Sequence, residues 1–211
     1  IDTSGKRHSA DMIIRAIDNM EERGNGLGAG FAVYGLYPDL KETYALHAMC
    51  RTERDLNALG EYLERAFAIV HQEPIPHRDV AGITDPPIVW RYFVQPREDA
   101  AQGLSSEEDY VVRHMMTVNA QMEGAFIVSC GQDMGIFKGV GLPDQIAEFY
   151  RIDDYQGYMW TAHNRFPTNT PGWWGGAHPF GLLDWAVVHN GEMSSYGTNR
   201  RCLEMHGYRC T

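Results

Sequence analysis

The chain is poor in thiol chemistry. Its 211 residues include four cysteines, Cys50, Cys130, Cys202 and Cys210. None belongs to a Cys-x-x-Cys pair, which argues against a thiolate-held iron–sulfur cluster or structural zinc and makes reduced, structural thiols the expectation. Long apolar runs are missing too. Nothing approaches the ~18 consecutive apolar residues of a membrane span, and the opening IDTSGKRHSA has no apolar signal core, so a soluble, cytoplasmic chain without membrane association is expected. Positive charge is scarce, with 18 basic residues against 28 acidic ones and a formal net charge of -10. Such a surface repels polyanions, so no nucleic-acid partner is expected. What remains is an apolar content of 44%, enough for the core of one large domain or two small ones.

Hydrophobic spacing alternates between helix and strand, without internal repeats. SADMIIRAIDNMEERG places Ile13, Ile17 and Met20 on one face and predicts a helix capped at Ser9 and stopped at Gly24. GFAVYGLY and TYALHAMC read as strands joined through PDLKE as a hairpin. Leu56, Leu59, Leu63, Phe67 and Val70 form a helical stripe behind the box Thr52-x-x-Asp55. IVWRYFV reads as a strand and SSEEDYVVRHMMTVNAQM as a helix. GAFIVSC and GIFKGV suggest a second hairpin, PDQIAEFY a short helix with Pro143 in its first turn, and GYMWTAH and WAVVHN strands. Val187 and Val188 read as buried on both faces, and MSSYGTNRRCLEM as a loop and helix with Leu203 and Met205. Layered sheets covered by helices fit this pattern, with residues 52–122 as a candidate inserted subdomain.

Chemistry concentrates in AHNRFPTNTPGWWGGAHPFGLLDWAVVHNGE, residues 162–192. Arg165 stands at a strand end, where a rigid guanidinium fork suits bidentate capture of a carboxylate; a structural ion pair is the plainer alternative. Gly172, Gly175 and Gly176 allow sharp turns and close approach to a ligand, and Trp173 and Trp174 could form a lid or pack a corner. Asn190-Gly191 is a common hairpin turn, but the helical pattern after it opens another role. The Asn190 amide and the Gly191 N–H could converge on a developing oxyanion. His163, His178 and His189 are separated by 15 and 11 residues, which matches no short metal motif. Packed, hydrogen-bonded histidines are expected there, with a metal-dependent hydrolase as a weaker reading.

HNRFPTNTPGWWGGAHPF followed by AVVHNGEMSSYGTN resembles the class II glutamine amidotransferases, within the N-terminal nucleophile hydrolases. The resemblance is nearest to glutamate synthase domains and their archaeal-type stand-alone amidotransferase subunits. MEERGNGLGAGFAVYG is similar to the family's Arg-Gly segment, which places Arg23 and Gly24 near the nucleophile. The resemblance implies an α+β fold, a four-layer αββα sandwich, with 52–122 as an α/β insertion. It implies that Arg165 and Thr168 bind glutamine, that Asn190 and Gly191 form the oxyanion hole and also contact substrate, and that 166–177 is a mobile glutamine loop. The implied reaction is hydrolysis of glutamine to glutamate and ammonia for a glutamate synthase-like subunit in a hetero-oligomer. No cofactor is expected in this chain and no metal; flavin and iron–sulfur clusters belong to the partner. A noncatalytic glutamine-binding or regulatory module is the alternative.

In this family the nucleophile is a mature N-terminal cysteine whose own α-amine, with a reference pKa of ~7.7 to 8.0, takes the thiol proton. Residue 1 here is isoleucine. The single apolar residue before the polar turn IDTSG resembles the tail of a strand of about five residues, so the expectation is a parent protein with its cysteine within about ten residues upstream. The end GYRCT precedes the acidic motif that holds the substrate α-amino group in the family. The 211 residues are thus expected to be the amidotransferase domain shortened at both ends and inactive alone.

Overall fold

The computed structural model describes residues 1–97, 106–167, 171–191, 193–208 and 210. Its first half contains β1 His8–Ser9, α1 Asp11–Asp18, β2 Ala29–Tyr34, β3 Tyr44–Cys50, α2 Glu53–Ala66, β4 Phe67–Pro74 and β5 Ile88–Pro96. The second half contains α3 Glu107–Gln121, β6 Ala125–Ser129, β7 Met134–Gly139, α4 Pro143–Phe149, β8 Gln156–Gly157, β9 Met159–Asn164, β10 Phe180–Leu182, β11 Trp185–Val187 and α5 Tyr196–Met205.

Two antiparallel sheets carry this mixed α and β chain, one ordered β4-β5-β3-β6 and the other β7-β2-β9. Local chemistry explains the helices that cover the first. Thr52 is extended and its hydroxyl accepts the Asp55 N–H at 3.2 Å, satisfying a donor that the first helical turn leaves open. Ser106 does the same for Asp109 at 3.1 Å. Leu56, Leu59 and Leu63 of α2 and Val111, Met115 and Val118 of α3 then bury against Leu46, Ala48 and Ile127 on one sheet face. The other face of that sheet, with Ala45, Met49 and Phe93, shares a core with Phe31, Val33 and Phe137 of the three-stranded sheet, and with α4 through Ile146 and Phe149. Residues 52–122 supply α2, β4, β5 and α3, hence two strands of the larger sheet.

Several expectations are corrected. Neither expected hairpin forms: β2 lies between β7 and β9, so β3 joins the other sheet, and β6 and β7 likewise separate. The second connection turns through Asp133 at φ 48°. The stripe from Leu56 does not continue as helix through Phe67 and Val70, because the chain becomes extended at Phe67 and both residues belong to β4. Ser9 is not a cap; it lies in β1, its hydroxyl bonds Asp11 at 2.8 Å, and Ala10 precedes the shorter helix α1. Val187 and Val188 are 59% and 37% exposed, not buried on both faces. Val187 ends β11, which among the described residues pairs with β10 in a separate two-stranded ribbon, and Val188 lies just past it. Among the described residues no helix is long and apolar enough to cross a membrane.

A buried polar chain links the sheets. The His47 ring is fully buried, with Nδ1 3.1 Å from the Ile136 carbonyl of β7 and Nε2 2.6 Å from the Tyr37 hydroxyl. A carbonyl only accepts, so Nδ1 carries the proton and Nε2 accepts from Tyr37. Arg91 of β5 donates to the Tyr37 oxygen at 3.3 Å and pairs with Glu73 of β4. Burial, reinforced by the Arg91 charge, pushes the His47 imidazole down to about 3, so it holds this neutral tautomer. His47→Leu leaves Tyr37 and Ile136 with unsatisfied polar atoms, and a loss of about 3 kcal/mol is expected in denaturant titration. Val70→Ala, on an exposed strand position, should change stability by no more than about 0.5 kcal/mol.

Candidate functional site

The three-stranded sheet brings together segments distant in sequence. Arg165 follows the last residue of β9, and its backbone N–H donates to the Gly28 carbonyl at 2.8 Å. Its guanidinium Nη1 reaches the carbonyls of Pro171 at 3.4 Å and Leu27 at 3.5 Å. Backbone oxygens from two loops therefore orient the fork. Beside it Asn164 is 5% exposed, and its amide donates to the Met20 carbonyl at 2.9 Å. Arg23 closes the 3-10 turn Glu21–Arg23, and Gly24 follows where a Cβ would collide with the Asn164 amide. Only glycine fits that approach. The structure thus joins the Arg23–Gly24 turn to the Arg165 strand end.

Thr168 lies outside the described residues. From Pro171 the loop returns over the sheet, with Gly175 and Gly176 buried and the two tryptophans in different settings. Trp174 is anchored, its ring 5.4 Å from that of Phe149 and against Gly139. Trp173 is half-exposed and meets the Phe126 ring edge-on at 5.4 Å. Together with Met49, Pro87, Met122 and Phe126 they line a cleft of about 710 Å³. Of the two lid candidates, Trp173 has the freer ring.

Asn190 and Gly191 lie on the exposed segment after β11. His189, immediately before them, is electrostatically coupled to both His163 and His178, which places the motif beside the β9 end. His163 and His178 are packed as expected, with ring centroids 4.5 Å apart, whereas His189 is exposed. The expected hydrogen bonds are missing among the described residues: both ring nitrogens of His163, and Nδ1 of His178, are buried there without a protein partner in hydrogen-bond geometry. The His189 backbone is close enough to favour protonated His163 but does not satisfy those nitrogens. Burial dominates, lowering His163 and taking His178 down to about 4 with help from His163 and Lys138. Among the described residues, no three His, Cys, Asp or Glu side chains gather as a metal-binding group.

Sequence reading missed two residues here. Asn164 carries no signature beyond its place in HNRF. Lys138 in GIFKGV is not singled out by the sequence, yet it is 1% exposed, with Nζ 3.1 Å from the Pro179 carbonyl and 4.4 Å from the centre of the Phe180 ring.

With this geometry in hand, comparison with known proteins gives the family. The model of the class II glutamine amidotransferases matches residues 63–208, and the chain belongs to that family. An uncharacterized protein of Archaeoglobus fulgidus is 55% identical over 215 residues, covering 100% of this chain and 57% of the relative. The glutamate synthase [NADPH] large chain of Bacillus subtilis is 31% identical over 157 residues, 71% of this chain and 10% of that protein. The glutamine amidotransferase-like protein GlxB of Rhizobium meliloti is 33% identical over 82 residues, 38% of this chain and 27% of the relative. The chain therefore spans little more than half of the Archaeoglobus relative and much less of the other two.

The desolvated histidines His47 and His178 set an acid limit on the fold. An unfolded imidazole titrates at about 6.5, whereas His178 does so at about 4 and His47 at about 3 in the folded chain. Between those values the unfolded state binds more protons, so stability is lost as pH falls below about 6.5. Thermal unfolding against pH should show this decline, and His178→Phe should make it shallower between about pH 6.5 and about pH 4.

Proposed function

We propose that this chain is the glutamine-hydrolysing part of an amidotransferase that passes ammonia to a glutamate synthase-like partner subunit. The observation that carries the reading is the junction at the end of β9, where the guanidinium of Arg165 is oriented by the Leu27 and Pro171 carbonyls beside the Arg23–Gly24 turn. Relatives that include a glutamate synthase large chain support the same reading. The fold proposed with it is the four-layer αββα arrangement of the N-terminal nucleophile hydrolases. Its two sheets and its helices α2 and α3 on one face and α1 and α4 within the other core are compatible with that arrangement.

In this mechanism Arg165 takes the α-carboxylate of glutamine bidentately, and Thr168 contacts the substrate near it. The nucleophile is an N-terminal cysteine of the encoded protein, whose thiol proton passes to its own α-amine. The thiolate attacks the side-chain amide carbon, and the carbonyl oxygen becomes an oxyanion held by the Asn190 amide and the Gly191 N–H. Collapse expels ammonia, which leaves with the proton returned by the amine. Water then hydrolyses the thioester to glutamate and the free thiol. Internal cysteines have no α-amine of their own, and burial pushes the thiols of Cys50 and Cys130 up to about 12, far from thiolate formation at neutral pH. Trp173 closes over the bound substrate and excludes water from the thioester until ammonia has left. Flavin and iron–sulfur chemistry belongs to the partner, in a hetero-oligomer.

Steady-state glutaminase kinetics of the full encoded protein separate the roles. Arg165→Lys keeps the charge and loses the fork, so KM for glutamine should rise about tenfold or more while kcat changes less. Unchanged kinetics would remove Arg165 from the substrate site. Asn190→Ala should lower kcat about 100-fold with little change in ground-state affinity; lost binding with kcat intact would make Asn190 a structural residue.

A further inference from the structure

Three residues lie in one row across the three-stranded sheet. Gly30 of β2 is directly opposite Lys138 of β7 on one side and His163 of β9 on the other. Directly paired residues project to the same sheet face, so Lys138 and His163 flank a position that has no side chain. A Cβ at Gly30 would strike the His178 carbonyl and the Lys138 side chain. The gap is occupied by the chain returning from the tryptophan loop. The His178 ring lies on that of His163, and the next residue offers its carbonyl to Lys138 at 3.1 Å.

Packing alone does not account for a lysine there. Among the described residues no carboxylate pairs with it, and methionine would fill a similar volume without removing an ammonium from water. The contacts its nitrogen makes are with Pro179 and the face of Phe180, both at the C-terminal foot of the loop whose other foot is Arg165.

We propose that Lys138 is a positioning residue of the glutamine loop: its amine holds the Pro179 carbonyl in the notch between Lys138, Gly30 and His163, and so sets where the segment bearing Trp173 and Trp174 meets the sheet. The proposal rests on the reading of this loop as the cover of a glutamine site. Arg165 is built into one foot and Lys138 grips the other, so loosening Lys138 weakens glutamine capture without touching the reacting atoms.

The charge on the grip changes near neutrality. Burial takes Lys138 down to about 7, so the ammonium holds the carbonyl and the Phe180 face below that pH and the neutral amine does so more weakly above it. The ionisable groups around the notch are His163 from β9, His178 from the loop foot, Arg165, His189, and Tyr150 from α4. His163 is lowered, His178 titrates at about 4, and Tyr150 is raised and donates its hydroxyl to the Lys138 carbonyl at 2.9 Å.

The test uses hydrogen exchange in residues 174–180 without glutamine, alongside glutaminase kinetics, in the full encoded protein, with Lys138→Met and Lys138→Gln. The first variant removes the donor; the second keeps an N–H donor without the charge. Loss of the grip should speed exchange in 174–180 about tenfold in Lys138→Met and less in Lys138→Gln. KM for glutamine should rise by a similar factor while kcat stays within about twofold. In the wild type, exchange corrected for intrinsic chemistry should accelerate between about pH 6 and about pH 8, and that step should vanish in Lys138→Met. Unaltered exchange in both folded variants would overturn the anchor, and altered exchange with unaltered KM would overturn its role in glutamine capture. If the wild type itself leaves glutamine intact, the glutaminase reading fails, and the exchange and pH arms still decide whether Lys138 holds the loop.

Discussion

The directional chain Arg91, Tyr37, His47 and the Ile136 carbonyl fixes one sheet against the other. Each member has a single workable role: the guanidinium only donates, the carbonyl only accepts, and the hydroxyl and imidazole between them transmit that polarity. Because the imidazole is buried and faces the Arg91 charge, protonating it would place two cations in a low-dielectric core, and the tautomer is locked. Sheet packing by apolar contact tolerates small shifts; a hydrogen-bonded chain with one polarity tolerates far less. That matters because β7, which receives the last bond of the chain, also carries Lys138.

The candidate site inherits its geometry from that sheet. β2 is central, flanked by β7 and β9, and its N-terminal approach supplies the Gly24 turn and the Gly28 and Leu27 carbonyls. β9 ends in Asn164 and Arg165, and β7 reaches under the loop foot. A stretch that reads as one motif in the sequence is therefore held from three strands. The Arg165 guanidinium is oriented by backbone oxygens, which keep their position better than another mobile side chain would. Burial lowers His163, His178 and Lys138, which keeps positive charge low behind Arg165.

Much of this was legible from local pattern. Thr52 announces α2 through side-chain chemistry that acts within three residues, and the strands around Phe31, Leu46 and Tyr92 show as apolar runs. Sheet membership was not legible, because β2 and β3 are neighbours in the chain and strangers in hydrogen bonding; the partners of β2 are β7 and β9, far along the chain. The family was readable because arginine, glycine and an Asn-Gly pair in residues 162–192 carry their pattern with them. Lys138 was not. An isolated lysine in a strand suggests solvent, and its burial follows only from a glycine on the neighbouring strand and a carbonyl 41 residues onward. Thr52 could be read alone, whereas Lys138 needed its partners.

We propose that this family member hydrolyses glutamine through a terminal cysteine beside Arg165 and Asn190. The most direct measurement is intact-mass and peptide mapping of the full encoded protein after exposure to an electrophilic glutamine analogue. One adduct, on an N-terminal cysteine and suppressed by excess glutamine, is the predicted result. Modification of Cys50, Cys130, Cys202 or Cys210 instead, or no adduct on a folded protein that binds glutamine, would contradict the mechanism and leave a glutamine-binding module without catalysis.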